Sequence, residues 1–156
     1  MQNTNQLAKP QKVDTAVKLL YASLGLGIIS SVLFPPGLDE VSSFGSALND
    51  SLFIFFTAGL TFGLTWLLIY MIGKGKNWAR ITFLVFFIIG IPLSIVTFPL
   101  FLLLSYTPVI DVSLFLVQTG MDLVALVFLF QEESSAWFKA LKQSNAQSTQ
   151  KSVLTD

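Results

Sequence analysis

Few side chains in this 156-residue sequence could do chemistry. There is no histidine and no cysteine. That removes disulfides, thiolate chemistry, the commonest transition-metal ligands and the usual proton carrier near neutral pH. What stands out is Asp122, because residues 112–121 before it and 123–131 after it carry no charge. Gln118 lies one helical turn earlier and Thr119 three residues earlier, so a helix would place all three on one face. An aspartate at the centre of a membrane helix costs about 2.5–3.5 kcal/mol on an insertion scale, so it is expected to turn inward and find partners. Lipid penalises charge, and the neutral carboxyl both donates and accepts. Depth matching offers Ser23, Thr61 or Thr65, and the Ile88 carbonyl, which Pro92 leaves without its helical donor. Three readings of Asp122 stand side by side: glue between helices, a proton or cation site, and a contact for a partner.

Familiar reactions lack their parts. Intramembrane serine proteolysis wants a base, usually histidine. Aspartyl proteolysis needs two membrane carboxylates, and Asp122 is alone. Gly73-Lys74-Gly75-Lys76 is too short for a phosphate-cradling loop. No cofactor motif, metal-ligand set or nucleic-acid-binding pattern is visible, so the expectation is a protein that is not an enzyme and carries no cofactor or metal.

The elements that must position Asp122 follow from composition. Hydrophobic residues make up 53% of the chain and charged residues only 12%, about half the share usual in soluble domains. A helix needs about 20 mostly apolar residues to cross a bilayer. Four stretches qualify, at about 17–34, 50–72, 79–104 and 109–130. Pro35-Pro36-Gly37 ends the first; Asn49, Asp50 and Ser51 can cap the second; Thr107-Pro108 suits the start of the fourth. Runs such as Phe83-Leu84-Val85-Phe86-Phe87-Ile88-Ile89 lack the polar stripe of a soluble bundle. The expected fold is all-α, an integral membrane antiparallel four-helix bundle spanning 17–130.

Orientation follows from charge. Lys9, Lys12 and Lys18 precede the first span, Lys74, Lys76 and Arg80 flank the second loop, and Lys139, Lys142 and Lys151 follow the fourth span. The other two loops carry only acids: Asp39, Glu40, Asp50 and Asp111. Lysine and arginine stay inside, so both termini are expected in the cytoplasm. The first span reads as an uncleaved anchor.

Residues 1–16 are a polar cytoplasmic N-terminus, and 144–156 have the composition of a disordered tail. Between span four and that tail, residues 131–143 form either an interfacial helix or an extension of the span; Trp137, Phe138 and Leu141 would share its apolar face. Residues 38–48 have the spacing of a second interfacial helix. Lys74, Lys76, Trp78, Arg80, Trp137 and Lys139 are expected at lipid headgroups. Ser23, Gly27 and Ser31 on the first helix, and Gly59 and Gly63 on the second, form small-residue faces for close helix packing.

Lys9-Pro10 with Val13, Gly75-Lys76-Asn77-Trp78-Ala79-Arg80 and Ala136-Trp137-Phe138 together resemble a family of small uncharacterised bacterial four-helix inner-membrane proteins. The resemblance implies four helices in a bacterial cytoplasmic membrane and brings no activity or catalytic residue. The expected role is non-catalytic, an accessory or envelope-maintenance protein acting through membrane lipids, a membrane-protein partner or copies of itself. The alternative is a small proton- or ion-coupled transporter or channel using Asp122.

Overall fold

A computed structural model describes residues 8–33, 44–104 and 109–153. The order is α1 (Gln11–Leu33), α2 (Phe44–Gly73), α3 (Asn77–Leu104), α4 (Val109–Phe130) and α5 (Glu132–Val153). Gln11–Leu33, Phe55–Gly73, Asn77–Ile95 and Val112–Phe130 are long and apolar enough to cross a membrane, which makes the chain a multi-pass membrane protein by length and composition. Large apolar side chains lie on the outside, with Val32, Phe55 and Phe56 each at least 70% exposed. In water that surface would be untenable; in lipid it is the expected one.

Three helix bounds differ from the sequence reading. α1 starts at Gln11, because the Pro10 carbonyl accepts from the amides of Val13 and Asp14. Asp14, in the first turn, pairs with Lys18 at 2.8 Å and Lys9 at 3.3 Å. α2 begins at Phe44, absorbing the end of the expected 38–48 helix; residues 38–43 lie outside those described. α5 corrects the tail. Residues 144–153, assigned by composition to disorder, are helical, since nothing between Glu132 and Val153 is a glycine or proline that would stop the helix.

Among the described residues the core gathers at one end. Its buried side chains come from the N-terminal halves of α1 and α3, the C-terminal halves of α2 and α4, and α5: Val13 and Leu20, Ala79 and Phe83, Ile69 and Ile72, Ala125 and Leu129, Trp137 and Phe138. α1 packs most extensively on α4 and then on α2, α3 docks on α2, and α5 braces α1, α3 and α4. Among the described residues α3 and α4 make few direct contacts, and a cleft lies between them.

The α2–α3 turn explains how α5 fits there. Gly75 adopts φ +76°, its amide donates to the Ile72 carbonyl at 2.9 Å, and the Lys76 amide donates to the Met71 carbonyl at 3.0 Å. This is the paired-bond stop for which glycine is suited. A methyl group on Gly75 would collide with Leu141 and lie 3.1 Å from the Trp137 ring, so α5 rests on the turn. Gly75→Ala is therefore expected to destabilise by at least about 1–2 kcal/mol through φ alone, and more through displacement of α5. A thermal midpoint in detergent equal to that of the native chain would contradict this seating.

Candidate functional site

α4 runs from Val109 to Phe130, and Asp122 stands one residue past the middle of its apolar stretch Val112–Phe130. The inward face of α4 carries Gln118, Thr119 and Asp122, which together line one cavity, so the polar stripe expected from spacing exists. Its partner on α1 is Ser23, only 2% exposed, whose hydroxyl hydrogen-bonds the Asp122 carboxyl. α1 comes this close because Gly27, one turn further on, has no side chain. A Cβ there would lie 3.0 Å from the Gln118 amide nitrogen and 3.5 Å from the Phe62 ring. Small-residue packing thus operates at Ser23 and Gly27. Ser31 is half-buried and donates to the Gly27 carbonyl at 2.8 Å within its own helix. Gly59 and Gly63 lie on the exposed side of α2, where a methyl group on either would meet no other element.

Two connected spaces adjoin the carboxyl. A cleft of about 560 Å³ lies between α2, α3 and α4, walled by Phe83, Phe86, Phe87 and Phe115 and reaching Gly90 and Ser94. A smaller chamber of about 120 Å³ lies deeper, between Ser23, Leu24, Thr61 and Phe62. Thr65, Phe83, Gln118 and Asp122 line both, so the carboxyl sits at the neck between them. Three of the hydroxyl protons around these spaces are committed to helix carbonyls. Thr61 donates to the Thr57 carbonyl at 2.8 Å, Thr65 to the Thr61 carbonyl at 2.9 Å, and Ser94 to the Gly90 carbonyl at 2.8 Å. Each therefore offers lone pairs to the cavity. No lysine or arginine lines either space.

The Ile88 carbonyl does not serve Asp122. Ile88 is 58% exposed and Pro92 is exposed, because α3 turns Phe83, Phe87, Gly90 and Ser94 inward and puts Ile88 and Pro92 on its outer side. Of the depth-matched partners, Ser23 makes the bond and Thr61 and Thr65 share the cavity.

The residues expected at headgroups divide. Trp78 is half-exposed, Lys76 and Lys139 are exposed, and Lys74 reaches over the Tyr70 ring at 4.5 Å. Arg80 and Trp137 are corrections, at 7% and 8% exposure. The Arg80 guanidinium donates to the Leu129 carbonyl at 3.0 Å and to the Ser135 hydroxyl at 3.3 Å, and lies 4.5 Å from the Phe138 ring centre and 5.0 Å from that of Phe130. Ser134 donates to the Phe128 carbonyl at 2.6 Å. The last carbonyls of α4 would otherwise lack donors, and a cation is favoured at a helix C-terminus, so Arg80, Ser134 and Ser135 cap α4. Reading Arg80 as an anchor missed this; the signal was Ser134-Ser135 close behind the last apolar residues of α4. Lys12 adds a 3.0 Å pair with Glu133, linking α1 to α5, though its exposure makes it weak.

No group of three or more acidic residues placed to hold a metal ion occurs among the described residues. No family model, curated protein or solved structure matches the chain.

Asp122→Asn is expected to keep the fold, since an amide oxygen still accepts from Ser23. Asp122→Leu strands the buried Ser23 hydroxyl, and should unfold at least about 1 kcal/mol more easily than the asparagine variant. Equal unfolding midpoints for the two variants in detergent would show that the carboxyl does not hold α1 to α4.

Proposed function

We propose that this is a non-catalytic accessory protein of a bacterial cytoplasmic membrane, an antiparallel four-helix bundle with both termini inside, which works by holding a small hydrophobic component of the membrane. The observation that carries the reading is the cleft between α3 and α4. Its volume, about 560 Å³, falls within the range of small-molecule sites. A small lipophilic molecule of the membrane fits a cleft of that size. The orientation rests on the lysines and arginines of the described residues, which gather at the packed end with the α2–α3 turn and α5.

A second reading, coupled proton or ion transport, is favoured by one observation. The Asp122 carboxyl faces both the outer cleft and the deeper chamber, as a group passing a proton or cation between them would.

A small photoreactive aryl diazirine in lipid nanodiscs tests the first reading. It is expected to label Phe86, Phe87 and Phe115 saturably, and lipid-facing Phe55 and Phe56 without saturation. Gly90→Phe should abolish the saturable component while keeping the fold, because a side chain at Gly90 points into open space. Unsaturable labelling throughout would overturn the cleft as a binding site.

A further inference from the structure

We propose that the α3–α4 cleft is a site for a lipophilic amine, bound with its ammonium group at Asp122 and its apolar body among the phenylalanine rings. The inference rests on the cleft being a binding site and names the chemistry it selects.

The argument is one of complementarity. Thr65 and Ser94 have spent their hydroxyl protons on the carbonyls of Thr61 and Gly90, so both face the cleft as acceptors. Asp122 supplies carboxyl oxygens at the neck. A ligand that satisfies Asp122, Thr65 and Ser94 must donate hydrogen bonds, and of the other polar groups on the wall, Gln118 has its amide nitrogen beside Gly27 on the α1 side and Thr119 can donate or accept. Charge points the same way. The one ionisable group on the cavity wall is acidic, and no lysine or arginine there competes for it. A cation entering from the lipid would find the single countercharge at this depth, and a close charge pair is strong where water is scarce.

The walls decide what the cation is attached to. Phe83, Phe86, Phe87 and Phe115 line the cleft with aromatic carbon, and aromatic rings attract a cation within about 6 Å of a face and bury the apolar carbon attached to it. A bare metal cation could use the carboxyl and hydroxyl oxygens but would leave those walls, most of the cleft, idle. A molecule with an ammonium head and a hydrocarbon or aromatic body uses both. Ser23 matters here too: bonded to Asp122 from the α1 side, it restrains the carboxyl on the wall shared by the two spaces.

The test is competition against the aryl diazirine in nanodiscs, using octylamine, octanol and octanoate at matched membrane concentrations. Octylamine is expected to protect the cleft phenylalanines at a concentration at least about tenfold below that of octanol, with octanoate weakest. In Asp122→Asn the advantage of octylamine over octanol should vanish. Thr65→Val and Ser94→Ala keep the carboxyl and remove one acceptor each, so each should weaken octylamine protection by a few-fold and leave octanol unaffected. These two variants decide the matter if Asp122→Asn proves unstable. Equal protection by octanol and octylamine in the native chain would overturn the amine assignment while leaving the cleft a hydrophobic site. Absence of saturable labelling would overturn both readings.

Discussion

The described structure hangs on the junction where Arg80 meets the end of α4. Among the described residues α3 packs little against α4 directly, and a guanidinium from α3 donates to the Leu129 carbonyl, with α5 folded underneath. A buried cation is expensive unless its hydrogen bonds are met. Here the helix end supplies a carbonyl and a favourable dipole to one terminal nitrogen, Ser135 supplies a hydroxyl to the same nitrogen, and Phe130 and Phe138 lie against the guanidinium, whose buried Nε has no partner. Ser134 occupies another carbonyl of the same helix end. Around this polar knot the apolar residues close: Phe138 and Leu129 are wholly buried, and Trp137 nearly so, edge-on to Phe138 at 5.0 Å.

That arrangement explains why the cleft lies where it does. Among the described residues the buried core gathers at one end, and beyond it a cleft lies between α3 and α4. Asp122 stands where packed core gives way to open cleft, close enough to α1 to bond Ser23 and far enough out to face the space. Lipid alone would select against a carboxyl at this depth. Ser23 and Gly27 lessen the penalty by letting α1 approach, yet the acceptor-lined cleft beside it goes beyond what helix pairing requires.

Much of the architecture was legible because lipid imposes a simple code. Apolar stretches of about 20 residues between charged loops mark spans, and four appear in the structure close to the expected positions. Asp122 was legible because one carboxyl in a long apolar run is conspicuous, and Ser23 because depth matching needs only counting along helices. Helix rotation was not legible. Nearly every residue of α3 is apolar, so periodicity could not tell that Phe83, Phe87 and Ser94 turn inward and Ile88 and Pro92 outward. The same blindness put Gly59 and Gly63 at a packing face. Arg80 and Trp137 were misplaced for a different reason. A basic or indole side chain near a membrane boundary can anchor in headgroups or plug a helix end, and only the return of α5 decides which.

The bend at Gln131, where α4 gives way to α5, has a mechanical meaning. α5 touches α1, α3 and α4, all beside the junction, so it grips the base of a pair of long levers. A load on α5 is therefore carried into the packed end of the bundle, where α1, α3 and α4 all meet it.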